Sequence, residues 1–314
     1  MINMDTRYAY SVGKIRALET RIINLSQLEK VWHQTEFKTA AGFFEEKYGL
    51  ENFDKDNFEH LLDEHLEKTI KTLKEIAVDR RLFSIFLLKY DFNNLKILFK
   101  NLSDNSVLPS GNFSKEELAE MLKAFNFSKF GEISNIIPST LPAIFKQDKK
   151  TVSPADYHLE QLLFDVSIMT AKEYKNDFLS DILKKQIDIK NLSTFYRLVK
   201  QKREKDGLSR YLLANGYVDK EIFLTAESSP ASLKIMQYEK LLTIAKVDFE
   251  KAADDFITDC IGSAKRISFG IEPLVGYLWA KEMELKNVRI ILYGKIYNFE
   301  KEEVFAQLRI PYVQ

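Results

Sequence analysis

Residues 283–288 read Met-Glu-Leu-Lys-Asn-Val, and the pattern that they contain, acid-x-x-Asn followed by an apolar residue, occurs at three regularly spaced places in the chain. Each copy has an acid, an asparagine three positions later and then an apolar residue, as in Tyr90-Asp91-Phe92-Asn93-Asn94-Leu95 and Ile187-Asp188-Ile189-Lys190-Asn191-Leu192. The asparagines at positions 94, 191 and 287 are therefore 97 and 96 residues apart. A nearly constant period indicates a repeated structural unit. The sequence predicts three similar units, at residues 1–108, 109–215 and 216–314, the last with a C-terminal closing segment.

A second pattern marks the starts of helices. Ser114, Asp219 and Glu300 each precede a Lys-Glu pair, and Ser26 begins a weaker copy near the start of the chain. Side-chain oxygens of serine and aspartate accept hydrogen bonds from amides of the first helical turn. Ser26 and Ser114 also have glutamate three positions later, which is the capping-box spacing. We expect Ser26, Ser114 and Asp219 to be N-caps and Glu300 to be a poorer one.

The composition favours an all-α protein. Of the 314 residues, 45% are hydrophobic, which is enough for packed cores, and only 11 glycines and 7 prolines are available for turns. Long segments such as residues 54–78 have apolar side chains at helical spacing, and no segment shows the alternation of a half-buried strand. The fold class predicted from the sequence is therefore all-α, with three similar helical domains.

Charge and cysteine content narrow the setting in which the protein works. Lysine and arginine number 46, as do aspartate and glutamate, and a nucleic-acid partner is not expected without a basic surplus. The single cysteine, Cys260, excludes an internal disulfide and is typical of a reducing cytosolic setting. The N-terminus has no apolar signal segment, and no apolar run reaches the roughly 20 residues of a membrane span. We therefore expect no secretory signal and no direct transmembrane insertion.

The repeated acid and asparagine lie within apolar helix stripes, because residues three and four positions apart share a helix face. A buried polar group without a partner costs about 1–3 kcal/mol, so each pair should bond a neighbouring helix or the backbone. One alternative is that Asp91 and Asp188 cap a second short helix. A catalytic acid–amide pair is another, although three equivalent copies count against it. The predicted structural polar residues are Asp91, Asn94, Asp188, Asn191, Glu284 and Asn287.

The sequence contains no recognisable constellation for catalysis. His60 and His65 are five positions apart and do not share a face as the histidines of zinc-binding helices do, so we expect solvated side chains rather than metal ligands. Neither a GxxxxGK[ST] nor a GxGxxG phosphate-binding loop is present. We therefore predict a protein that is not an enzyme and has no metal or cofactor.

Two stretches carry a resemblance to a known family. Residues 8–19 read Tyr-Ala-Tyr-Ser-Val-Gly-Lys-Ile-Arg-Ala-Leu-Glu, and Gly270-Ile271-Glu272-Pro273 is followed by the Glu-x-x-Asn helix and by Gly294-Lys295. These residues resemble the C subunit of the V-type (A/V-type) rotary ATPases, whose eukaryotic counterpart is the d subunit. The resemblance covers the whole chain, although the middle unit diverges, with Ser193 where the other copies have Lys96 and Arg289.

The resemblance implies a funnel of three helical domains around a pseudo-threefold axis. Members of that family sit on the membrane rotor ring, receive the foot of the central stalk and carry torque, without nucleotide or ion sites of their own. It thus implies a peripheral protein at the cytoplasmic face of a membrane, with central-stalk subunits and the rotor ring as partners. Whether the transported ion is a proton or sodium stays open.

Two other classes of protein remain possible from the sequence. The first is a three-unit helical scaffold that binds cytosolic proteins, and the second is a helical hydrolase, which would need a clustered acid, base or metal site. A solenoid scaffold leaves its first and last units far apart, whereas a funnel brings them together. Closure of the chain ends therefore discriminates between a scaffold and a rotor subunit.

Overall fold

In a computed structural model, the chain is helical, and the structure describes residues 6–34, 36–100, 109, 111–146, 152–200, 205–226, 238 and 249–312. The first helices are α1 Ala9–Glu19, α2 Leu25–Trp32, α3 Phe37–Tyr48, α4 Phe58–Ile76, α5 Arg80–Ser84, α6 Leu88–Phe99 and α7 Lys115–Ala124. They are followed by α8 Ile136–Lys146, α9 Val152–Glu173, α10 Asp177–Lys200, α11 Lys220–Thr225, α12 Phe249–Ile261, α13 Glu272–Ile296 and α14 Lys301–Gln307. No strand occurs among these residues, which confirms the all-α prediction. Within the same ranges, no helix is both long and apolar enough to cross a bilayer.

The chain forms two compact units. The first combines residues 1–79 with residues 254–314, and the second consists of residues 80–253. Both ends of the chain thus belong to one compact unit. The predicted division into three helical units at residues 1–108, 109–215 and 216–314 stays a prediction.

Helix α13 is the centre of the first compact unit. It packs against α1, α2, α3, α4 and α14. A helix that is apolar on all sides is buried on all sides, and buried residues such as Leu274, Leu285 and Ile291 occur along most of its length. Pro273 lies in its first turn, where the missing proline N–H removes no helical hydrogen bond. Most of the N-terminal helices therefore pack around one C-terminal helix.

The second compact unit is built on the long helices α9 and α10, which pack against each other. Helix α8 packs on α9, while α6 packs on both α7 and α9. Fully buried side chains from these helices and the turn at Ser128–Glu132 form its core, among them Phe130, Ile137, Leu179 and Leu192.

Two of the three predicted N-caps are confirmed. Ser114 forms a complete capping box at the start of α7, and the Asp219 side chain accepts the amide of Glu221 at the start of α11. The prediction for Ser26 is wrong, because Ser26 lies inside α2, and Asn24 is the cap. The extended backbone of Asn24 lets its side chain reach the amide two or three residues on. The N-terminal copy of the helix-start pattern is therefore displaced by two residues from the predicted position.

Candidate functional site: three buried polar clusters

The structure buries all six of the predicted polar residues. They lie inside α6, α10 and α13, with apolar neighbours along the same helix faces. Their exposed fractions are 0% for Asp91, Asn94 and Asp188, 1% for Asn191, 3% for Asn287 and 4% for Glu284. Buried carboxylates and amides need hydrogen-bond partners, and the structure supplies them mainly from the backbone of loops that precede or follow other helices.

The first polar cluster joins α6 to the segment before α7. The carboxylate of Asp91 accepts the amide N–H groups of Asn112 at 2.9 Å and Phe113 at 3.1 Å, and the side-chain amide of Asn112 at 2.7 Å. The side-chain amide of Asn94 donates to the carbonyl of Pro109 at 3.4 Å. Charge-assisted bonds to backbone amides are among the stronger hydrogen bonds in proteins, so Asp91 fixes the start of α7 firmly.

The second polar cluster repeats this arrangement on α10. Asp188 accepts the amides of Tyr217 at 3.1 Å and Val218 at 3.0 Å, and the hydroxyl of Tyr238 donates to it at 2.7 Å. Burial raises the pKa of Asp188, while the bonds from Tyr238, Val218 and Tyr217 act in the opposite direction. The fully buried carboxyl group is therefore satisfied mainly by hydrogen bonds rather than by a cation.

Asn191 and Asn287 bind the backbone in the same two-bond form. Asn191 donates to the carbonyl of Leu213 at 2.9 Å and accepts its N–H at 2.7 Å. Asn287 donates to the carbonyl of Arg309 at 3.0 Å and accepts its N–H at 2.8 Å. Each asparagine side chain thus binds both backbone groups of the residue 22 positions later, as a neighbouring strand would. The equivalent backbone residue for Asn94 is Pro109, which has no N–H to donate in return.

The third polar cluster connects α13 with the beginning of the chain. One carboxylate oxygen of Glu284 accepts the amide of Ile23 and the hydroxyl of Tyr48, both at 3.1 Å. Its other oxygen lies 2.5 Å from the ammonium group of Lys281, one turn earlier on α13. The same ammonium group lies 4.8 Å from the centre of the Tyr48 ring. Lys281 and Glu284 are both buried, so their opposite charges compensate each other away from water.

One relation is common to all three clusters. Each acid accepts the amide of the residue that directly precedes a helix N-cap; the donor and cap pairs are Phe113 and Ser114, Val218 and Asp219, and Ile23 and Asn24. The alternative that Asp91 and Asp188 cap a second short helix is wrong, because the N-caps of the helices that they contact, α7 and α11, are Ser114 and Asp219. The acids instead hold the chain one residue before each cap, and the last acid holds the first of these segments.

Glycines make room for the first two acids. A β-carbon on Gly111 would lie 2.6 Å from the carbonyl oxygen of Leu87 and 2.7 Å from the carboxylate of Asp91. A β-carbon on Gly216 would overlap the carboxylate of Asp188. Both glycines are three residues before an N-cap, and only a residue without a side chain allows this close approach. A glycine three residues before a predicted N-cap was therefore a sequence signal from which these two clusters could have been predicted.

The sequence did not predict some of the partners. Two of these partners, Tyr48 and Tyr238, are far in sequence from the carboxylates that they bind. The third, Lys281, is on the same helix as Glu284 but at a position that the repeat does not mark. The expectation that His65 is solvated is also wrong. Its Nε2 atom is buried without a hydrogen-bond partner among the described residues, and its ring stacks on Tyr48 with centroids 4.2 Å apart. His60, with 76% of its side chain exposed, is solvated as expected.

The fold and the three clusters define an all-helical protein in which buried acids and asparagines bind backbone segments. Sequence comparison narrows that class. The sequence model of the ATP synthase (C/AC39) subunit family matches residues 11–306, and the chain belongs to this family of non-catalytic accessory subunits of rotary ATPases. The resemblance inferred from residues 8–19 and 270–295 is therefore confirmed, and so is the prediction that the protein is not an enzyme.

Relatives of similar length support the same family. The chain is 24% identical to the C subunit of the V-type sodium ATPase of Enterococcus hirae, and the match covers 95% of this chain and 97% of that protein. It is 25% identical to the C subunit of the A-type ATP synthase of Methanocaldococcus jannaschii, over 96% of this chain and 86% of the relative. The corresponding A-type ATP synthase protein of Methanococcoides burtonii is 24% identical over 98% of this chain and 95% of its own length.

Proposed function

We propose that this chain is the central-rotor subunit that links the central stalk of a V/A-type ATPase to its membrane rotor ring. In that role it transmits torque for ATP-driven transport of protons or sodium ions, or for ATP synthesis in the reverse direction. Family membership motivates the proposal, because the relatives are named as subunits of a V-type sodium ATPase and of A-type ATP synthases. The partners are then the stalk subunits and the ring, and the protein is peripheral at the cytoplasmic face.

The repeated polar clusters are the observation that carries the mechanical part of the proposal. A torque-transmitting element has to resist twisting, and its helices therefore need connections that do not slide. Close-packed apolar side chains supply stiffness, while satisfied buried polar networks fix one particular packing arrangement. In this chain, Asp91, Asp188 and Glu284 each bind the backbone just before an N-cap. These bonds hold the helix starts against the helices that carry the acids.

The same contacts support three equivalent units, with boundaries near residues 108 and 215. The first two acids bind segments further along the chain, whereas Glu284 binds Ile23 near its beginning. In an open solenoid, the first and last units do not touch. Here the N-terminal 79 residues and residues 254–314 belong to one compact unit. This closure favours the rotor subunit over a helical scaffold for cytosolic proteins.

Removing the protein from the complete complex tests the proposal. The catalytic head should continue to hydrolyse ATP, because this chain supplies no catalytic chemistry. ATP-driven ion pumping by the reconstituted membrane complex should fall to background, because torque no longer reaches the ring. Adding the purified chain back should restore pumping. Full pumping in the absence of the protein would refute the linking role and favour the scaffold.

A variant with a weakened cluster tests whether the protein transmits torque or only occupies its place in the complex. Asn191→Leu removes both bonds to the backbone of Leu213 in the second cluster. Asn126→Leu is the matched control, since Asn126 is exposed and accepts a local bond from Ser128. At equal amounts of the bound protein, we expect fewer ions pumped per ATP hydrolysed with Asn191→Leu than with Asn126→Leu. Equal coupling ratios would show that the cluster has no part in torque transmission.

A further inference from the structure

The first compact unit is closed by contacts between segments that are far apart in the chain, and we call this set of contacts the seam. Its N-terminal side consists of α1 to α4, and its C-terminal side of residues 262–309. Arg289 binds Glu59 and Asp63, each at 2.6 Å. Arg16 donates to the carbonyls of Ala264 at 3.1 Å and Ile267 at 3.0 Å. The two sides are joined covalently only through the rest of the chain, so the seam depends on these non-covalent contacts.

The interior of the seam contains a half-buried histidine. His65, on α4, stacks on Tyr48, and Tyr48 in turn donates its hydroxyl hydrogen to Glu284 on α13. The Nε2 atom of His65 is buried and has no hydrogen-bond partner among the residues that the structure describes. A proton on this atom would therefore be buried without an acceptor, which is costly for a charged group.

The charges that face His65 make protonation still less favourable. Burial is the largest effect, and the positive charges of Lys281 on α13 and Lys68 on the same helix as His65 add to it. Together, burial and these two charges lower the pKa of His65 to about 3. From α3, Tyr48 presents its ring, and burial raises the pKa of Tyr48 well above its usual range. The nearby carboxylate of Glu284 is held by Lys281, Tyr48 and the amide of Ile23. The closed seam therefore favours neutral His65 over its cation.

We propose that His65 makes the seam acid-sensitive: protonation of this histidine favours a state in which α3 and α4 separate from α13 and the Glu284 contacts are released. The proposal goes beyond the linking role, because it concerns a conformational control within this chain. The sign follows from proton linkage. The open state exposes His65 with an ordinary pKa near 6.5 and binds a proton that the closed state does not bind. Opening is therefore favoured as the pH falls below that value and is insensitive to pH above it.

Hydrogen exchange on the full chain measures this opening at the amide that the seam protects. The amide of Ile23 donates to Glu284, so its protection factor reports closure of the third cluster. After correction for the intrinsic exchange rate, the opening equilibrium constant should increase about 25-fold between pH 7 and pH 5 for one histidine with an open-state pKa near 6.5. The amides of Phe113 and Val218, in the other two clusters, should show no such change.

Matched histidine variants decide whether His65 is the group responsible. His65→Gln should abolish the pH dependence at Ile23, whereas His60→Gln, at an exposed position of the same helix, should keep it. A flat wild-type profile, an unchanged profile in His65→Gln, or an equal loss of protection at Phe113 and Val218 would overturn the proposal. Direct NMR titration of His65 in the wild-type chain provides a test that does not depend on the folding of a variant. The histidine should stay neutral at pH 5, and titration near pH 6.5 in the closed protein would refute the proposal.

Discussion

Replacing Asn287 by leucine should destabilise the first compact unit strongly. The side chain of Asn287 is buried, donates to the carbonyl of Arg309 at 3.0 Å and accepts its N–H at 2.8 Å. Leucine has a similar volume but can make neither bond. The substitution therefore leaves one buried backbone donor and one buried backbone acceptor unsatisfied, while the rest of α13 keeps its packing.

The magnitude follows from those two groups. Each buried polar group that loses its partner costs about 1–3 kcal/mol. The additional apolar surface of leucine offsets part of this loss, at about 25 cal/mol for each Å² buried. We therefore expect the free energy of unfolding to decrease by about 2–4 kcal/mol. For a unit of this size, each kcal/mol corresponds to a decrease in Tm of roughly 2–4 °C.

Thermal unfolding of the isolated chain, followed by circular dichroism or calorimetry, measures the effect. Asn191→Leu should give a similar decrease in the second unit, because its bonds to Leu213 are as short, and Asn94→Leu should also be destabilising. The control is Asn126→Leu at an exposed position, for which we expect a change within about 0.5 kcal/mol. Unchanged melting of both Asn287→Leu and Asn191→Leu would show that the buried asparagines do not hold the helices together.

Two further substitutions test the positions before the helix starts. Gly216→Ala places a methyl group against the carboxylate of Asp188 and should reduce stability by more than about 1 kcal/mol, as measured by urea unfolding. Gly13→Ala should instead stabilise the chain by up to about 1 kcal/mol, because Gly13 is exposed on α1 and a β-carbon there meets nothing within 4 Å. A loss of stability at both sites would point to a general intolerance of alanine. Ser114→Ala removes one half of the α7 capping box and should cost about 1 kcal/mol, while Ser114→Asp should preserve most of the stability; equal losses in the two variants would contradict a capping role.

Much of the local structure could be predicted from the sequence. The all-helical fold followed from apolar spacing and the scarcity of glycine and proline, and the caps at Ser114 and Asp219 followed from short-range hydrogen-bonding preferences. The error at Ser26 has a physical reason. Asn24 and Gln27 form an equally good capping box two residues earlier, and only the direction from which the chain enters α2 decides between them.

The candidate site was predictable in part, since the positions of its six acids and asparagines followed from the repeat. Their partners were not predictable, because the amide of Ile23 and the hydroxyl of Tyr48 reach Glu284 from segments more than 200 residues away in sequence. The period of the motif therefore indicates which polar groups are equivalent, but it does not indicate which backbone segment satisfies each of them.

By itself, the sequence determined the helices, the spacing of the repeated acids and asparagines, and the resemblance that family membership confirmed. These features depend on residues close together in the chain, through helical periodicity, capping and local motifs. Only the tertiary structure decided that Nε2 of His65 is buried, that the charge of Lys281 acts on His65, and that Glu284 binds the N-terminal segment. Burial and charge at those positions depend on which distant segments pack together, and a one-dimensional pattern of residues contains no distances between them.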